Sequence, residues 1–159
     1  MSPIDALQSQ EDALILPAFD ETIAYTLGTA LRAAALARHA PVVIDIRSGT
    51  RQLYFTALPG SHPDNADWAR RKANLALRCH AASLRVKLQL EAEQRSAWPD
   101  AALNTADYAA HGGGFPVRVQ GSGVVAAIGV SGLPSRDDHA IIVATLAAHL
   151  GLSNITDTP

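Results

Sequence analysis

One cysteine, Cys79, is all that the 159 residues contain, which excludes an internal disulfide framework and any cysteine-rich set of metal ligands. The six histidines never fall in HxH or HxxxH spacing, so no preformed zinc site is encoded and no structural metal is expected. A basic surplus is missing too: 13 Lys and Arg face 15 Asp and Glu, for a net charge of −2 and a pI near 6.3. Without excess cation the chain is poorly suited to a run of phosphates or an anionic lipid surface. That argues against nucleic acid and membrane as partners and leaves small or neutral ligands. Long apolar runs are also absent. The longest near the N-terminus, Ala13 to Leu16, is too short for a signal-peptide core, and no segment approaches the ~20 apolar residues that span a bilayer. The expected location is cytoplasmic.

What is present suits one globular domain. Hydrophobic residues make up 48% of the chain, enough for a sizeable core. Residues 1–13 are polar and read as a frayed N-terminal segment, 14–151 as the domain, and 152–159 as a C-terminal tail. Leu14 to Leu16 reads as a short edge strand stopped by Pro17, and Asp20 caps a helix whose apolar positions Ile23, Leu27, Leu31 and Leu36 recur up to His39. "PVVIDIRSGTRQLYFTAL" alternates as a hairpin around Ser48-Gly49-Thr50. After the loop "PGSHPDN", Asp64 or Asn65 caps one long helix with the stripe Trp68, Leu75, Cys79, Ala82, Val86 and Leu90, running towards Arg95. "SAWPDAALNTADYAA" reads as a loop with a short helix. A second hairpin joins Pro116–Gln120 to Val124–Val130 through Gly121-Ser122-Gly123, and Ser135 with Asp138 has capping-box spacing for a last helix that Gly151 ends. This order predicts an α+β domain: a mainly antiparallel sheet of about five strands flanked by helices.

The stretch "AHGGGFPVRV", Ala110 to Val119, places a histidine and three glycines before a strand. Such a loop donates backbone N–H groups to the oxyanion in lipase-like hydrolases, but that chemistry also needs a G-x-S-x-G nucleophile elbow followed by an acid and a histidine. "GVSGLP" at Gly129 supplies only G-x-S-G, and too little chain follows to complete that fold. Two readings remain. Gly112 to Gly114 permit positive φ while Pro116 holds Phe115 extended at the start of the strand; or successive glycine N–H groups form an anion-binding nest beside the His111 imidazole.

Other polar residues have paired readings as well. His139, in "RDDHA", lies in the first turn of the last helix, where the dipole opposes its protonation and Asp137 or Asp138 aids it; it is a local capping group or a ligand. Cys79 and His80 point about 100° apart on a helix, so they cannot both face one iron, and without C-x-x-C-H any haem would be non-covalent. Cys79 and Trp68 read as core, and Arg70, Arg71 and Lys72 as a solvated face or a cationic contact for carboxylates of a ligand or a neighbouring subunit.

"PDNADWARRKANLALR" (Pro63 to Arg78), "HGGGFPVRV" (His111 to Val119) and "VSGLPSRDDH" (Val130 to His139), in this order and spacing, resemble the haem-degrading domain family, and more narrowly its cytosolic branch related to the GlcG and secreted haem-binding proteins. The likeness runs from about Leu16 to Gly151. It implies a mixed fold, a close homo-oligomer, and binding or oxidative breakdown of haem or another tetrapyrrole. By motif position the matched residues are Trp68, Arg71, Lys72 and Asn74, then His111, Gly113, Phe115 and Pro116, then Ser131, Gly132, Asp138 and His139. The resulting expectation is a cytosolic oligomeric ligand-binding protein. Its pocket, between subunits, is built from the His111 loop, the start of the last helix and the cationic turn near Arg71, with haem as preferred ligand. The alternatives are a non-catalytic assembly module that uses the same surface for protein contacts, and a small-molecule enzyme in which His111 works with Asp138 or His139.

Overall fold

The computed structural model describes residues 1–159. Its elements, in chain order, are α1 (Pro3–Ala13), β1 (Ile15–Leu16), α2 (Glu21–Ala37), β2 (Val43–Ser48), β3 (Arg51–Ala57), α3 (Pro63–Cys79), α4 (Ser83–Ala92), β4 (Gly114–Val119), β5 (Gly123–Ser131) and α5 (Ser135–Leu150). The strands form one sheet in the order β1-β4-β5-β2-β3. Both expected hairpins are present, and their central strands β5 and β2 pair antiparallel. The short edge strand β1 runs parallel to β4, so the sheet is mixed, with three antiparallel pairings and one parallel.

Period-two alternation divides the sheet into two unlike faces. Ile44, Ile46, Phe115, Val117, Ile128 and Val130 turn towards α2 and α5 and join the main core, a cluster of 22 buried residues that includes Leu27, Leu31, Ile142 and Leu146. The opposite face carries α3, held there by small residues: Ala73, Ala76 and Ala127 form a separate buried cluster. The approach is so close that a Cβ on Gly129 would lie 2.2 Å from the Ala69 carbonyl oxygen. Only glycine there lets the helix backbone reach the sheet.

The N-terminal segment is ordered, contrary to the frayed start expected of it. Ser2 caps α1 in a capping box with Asp5, and Leu7 is buried. Glu11, also buried, accepts from Arg85, Arg118 and the Ala82 N–H. These partners lie 71 to 107 residues away in sequence, so nothing local signals that this glutamate belongs inside.

The single long helix is likewise two. It breaks at His80, which takes left-handed φ and ψ of 51° and 40°, and α4 starts after Ala82. The break is held by tertiary bonds: the His80 carbonyl accepts from Arg118 and the Ala82 N–H donates to Glu11. Cys79, expected in the core, is exposed at this bend. The cap of α3 is neither Asp64 nor Asn65. His62 Nδ1 accepts from the Asp64 N–H at 3.1 Å, while Asn65 Oδ1 accepts from the His62 N–H at 2.7 Å.

Residues 96–110 contain turns but not the expected short helix. Asp100 accepts from the Ser96 N–H and hydroxyl, and Asn104 accepts from the Ala106 N–H, local side-chain bonds that compete with helical ones. The C-terminal tail follows α1: Gln10 Nε2 donates to the Thr156 carbonyl at 2.8 Å and to Thr158 Oγ1 at 3.1 Å. No helix is long and apolar enough to cross a membrane.

Candidate ligand-binding site

Trp68, Arg71 and Lys72 project from α3, and the loop before β4 brings His111 to them. The Trp68 and His111 rings meet edge to face, with centroids 5.4 Å apart at 78°. The Arg71 guanidinium lies 4.0 Å from the Trp68 ring, a cation–π contact. It also donates to Asp67 at 2.8 Å and to the Thr105 carbonyl at 3.3 Å. Arg70 grips the same loop through Asp107 and the Ala106 carbonyl, and Asn74 through the Asp107 carbonyl at 3.0 Å. The basic run of α3 is therefore neither a free solvated face nor a bare cationic patch. Two of its members clamp the loop that delivers Tyr108 and His111.

The glycines of this loop serve close packing. Gly113 has φ of +122°, and a Cβ there would sit 2.3 Å from the Val130 carbonyl oxygen. Its own carbonyl accepts the Val130 N–H at 2.7 Å, and Ser83, fully buried, donates to the His111 carbonyl and accepts the Gly114 N–H at 2.8 Å. The motif is thus a glycine-enabled approach to a strand that also fixes the backbone beneath the imidazole. Ser83 escaped the sequence reading because a lone serine on an apolar stripe has no local signature.

Two cavities flank the Trp68–His111 pair. The larger, about 430 Å³, is lined in part by Arg71, Lys87, Leu90, Arg95, Tyr108 and His111. The smaller, about 310 Å³, lies on the other side among Asn65, Lys72, Ser131, Ser135 and Asp138, again with Trp68 and His111. Both volumes are in the range of small-molecule sites. Burial, aided by the cations Lys87, Lys72 and Arg71 and opposed by Glu91, holds the His111 imidazole below the ordinary histidine range. At neutral pH it presents a neutral ring with one nitrogen lone pair free. Lys87 and Leu90 were not legible as lining residues, because the α3–α4 bend that aims α4 here has tertiary causes, and Tyr108 arrives on the clamped loop.

Lys72 and Asp138 form a buried ion pair at 3.0 Å, with side chains 5% and 1% exposed. Lys72 also donates to the Val130 carbonyl at 3.1 Å, and Asp138 accepts the Leu133 N–H at 2.9 Å and the Gly132 N–H at 3.4 Å. Asp138 does not close a capping box with Ser135: Pro134 occupies the cap of α5 and no side chain caps it. Burial pushes the Lys72 ammonium down and the Asp138 carboxyl up, each against the attraction of the other.

Phe115 and His139 belong to the other face of the sheet. Phe115 is fully buried in the main core, and its ring lies 5.6 Å from that of His139. Gln10 accepts from His139 Nε2 at 2.7 Å, and His139 Nδ1 is buried without a partner. His139 is thus a core histidine, unlike the local capping group or ligand expected at the helix start, and it lines neither cavity. The structure brings together Trp68, Arg71, Lys72, Gly113, His111 and Asp138, and separates them from Phe115 and His139.

A family model described as haem degrading protein HbpS-like matches residues 19–147. A UPF0303 protein of Mesorhizobium japonicum is 43% identical over 149 residues, covering 94% of this chain and 89% of that protein. Among solved structures, the Ybr137w protein superposes with a TM-score of 0.85 at 28% identity, over 94% of this chain and 88% of that one. HbpS does so with a TM-score of 0.67 at 25% identity, over 84% and 90%. With the family model spanning most of the sequence, this chain belongs to the HbpS-like haem-degrading protein family.

Proposed function

We propose that this protein binds haem, or another tetrapyrrole, in the larger cavity, as a homo-oligomer in the cytoplasm. The observation that carries the reading is the composition of that cavity. One wall offers the neutral His111 imidazole, the sides are Trp68, Leu90, Tyr108 and alanines, and three cations, Arg71, Lys87 and Arg95, stand among them against the single carboxylate of Glu91. A flat apolar macrocycle with two carboxylates and a metal open to nitrogen ligation asks for that combination. The family description, haem degrading, supports the same choice. Bound haem supplies iron-centred redox chemistry. The chain's own part is to offer an imidazole at His111, to pair the carboxylates with arginine and lysine, and to exclude water with Trp68 and Tyr108.

Titration of the apo-protein with haem, followed at the Soret band, tests this. A saturable shift is expected for wild type and for His139→Ala, and its loss in His111→Ala. No saturation in wild type overturns the haem reading. Assembly is the second part of the proposal, supported by the large apolar side chains that α2 and β3 leave exposed, Tyr25, Leu36 and Phe55. Sedimentation should give a mass at least twice the 16.7 kDa of one chain. A monomer at micromolar concentration would refute it.

A further inference from the structure

We propose that the smaller cavity, between α3, the β5–α5 turn and His111, is a binding site for a small oxyanion, a carboxylate or phosphate, distinct from the haem reading of the larger cavity. The argument is a balance of donors and acceptors. Asp138 is the one carboxylate of the lining, and its oxygens are already occupied by Lys72, Leu133 and Gly132. Asn65 Oδ1 is taken by the His62 N–H, and Asn65 Nδ2 donates to Ser131 Oγ at 3.2 Å. Donors are left in surplus. Lys72 spends two of its three ammonium protons, on Val130 and Asp138. The Ser131 hydroxyl accepts from Asn65 and keeps its own proton to give. Ser135, Trp68 and His111, residues with a hydroxyl or a ring N–H, belong to the same lining.

A cavity of about 310 Å³ with many donors and spent acceptors favours a guest rich in lone pairs. Charge favours the same guest. Besides burial, the cations Lys87, Lys72 and Arg71 oppose the protonation of His111, against the single anion Glu91 that favours it, and of these Lys72 lines this cavity. A bound oxyanion would relieve that repulsion, and a charge-assisted hydrogen bond from Lys72 would hold it.

The test uses the full-length apo-protein, with inorganic phosphate and acetate titrated separately at constant ionic strength maintained with chloride. The imidazole NMR signals of His111 are followed at each step. One of the two anions should give a saturable shift and raise the pH at which His111 titrates, and which one does so separates a phosphate from a carboxylate ligand. In Ser131→Ala/Ser135→Ala, which leaves the Lys72–Asp138 pair intact, the affinity should fall at least tenfold. In Arg95→Ala, which does not line the smaller cavity, it should not change. A response that does not saturate with either anion, or that is equal in wild type and the double variant, overturns the proposal. Neither arm contains haem, so a failed Soret titration and a failed anion titration are independent results.

Discussion

At the scale of single residues, two buried titratable sites set how this protein answers substitution and acid. Removing one partner of the Lys72–Asp138 pair strands the other charge in a place almost without water. Lys72→Met should therefore lower the unfolding free energy by about 3–5 kcal/mol in urea titration. Adding Asp138→Asn, which keeps one acceptor oxygen for the Leu133 N–H but removes the charge, should recover part of that loss. If the double variant is no more stable than the single, the stranded charge is not the cause. His139 responds to pH instead. Gln10 commits its Nε2 to Thr156 and Thr158, so its Oε1 faces the ring and His139 carries its proton on Nε2, leaving Nδ1 as a buried lone pair. Burial depresses the His139 pKa to about 4 from an ordinary 6.5. The folded form therefore resists protonation and the unfolded form does not. The full stability is present above about pH 6.5, and about 3 kcal/mol of it should be lost as pH falls from there to 4. In His139→Gln this part of the pH profile should be shallower by about that amount; an unchanged slope would place the titration elsewhere.

At the scale of elements, what was legible in the sequence follows range of interaction. The two hairpins, α2 with its Asp20 cap and the end of α5 at Gly151 rest on alternation, a capping side chain and a left-handed glycine, all local signals. The ordering of α1 and the break between α3 and α4 were invisible, because both depend on Glu11 meeting Arg85, Arg118 and Ala82 across the fold. The site divides in the same way. His111, Trp68 and Arg71 could be named from motif spacing, but the placement of His139 on the far face depends on the helical phase of α5 against the sheet. Glu11→Ala tests the long-range junction. It leaves two arginines and an amide without their carboxylate, and should destabilise by about 3 kcal/mol while accelerating hydrogen exchange at Ala82 ahead of global unfolding. Exchange there that matches the rest of the molecule would mean the bend is not a separate unit. Gly113→Ala tests the loop. A side chain there would be strained by φ of +122° and would meet the Val130 oxygen, so a loss of at least about 2 kcal/mol is expected in thermal unfolding.

At the scale of the whole molecule, the sheet separates the main core from the two cavities around Trp68 and His111. The α2–α5 face holds the large aliphatic side chains and Phe115, whereas the α3 face is sealed by alanines and glycine and gives its remaining volume to the two cavities. Stability should therefore be drawn mainly from one side and ligand affinity from the other. Ile128→Ala, fully buried on the α2–α5 face, is expected to lower the unfolding free energy by about 2–5 kcal/mol through lost burial and a residual void, and to leave the haem affinity of the still-folded protein within a factor of two. Arg71→Ala, across the sheet, removes a cation–π contact and a half-exposed ion pair with Asp67, so its effect on stability should stay near 1 kcal/mol while haem affinity falls at least tenfold. β5 carries Ile128 on one face and packs its glycine against α3 on the other, so it is a direct route of transmission between the two. If Ile128→Ala weakens binding as much as Arg71→Ala does, measured well below its unfolding temperature, the cavities are held open by the far core rather than by α3 and its clamped loop.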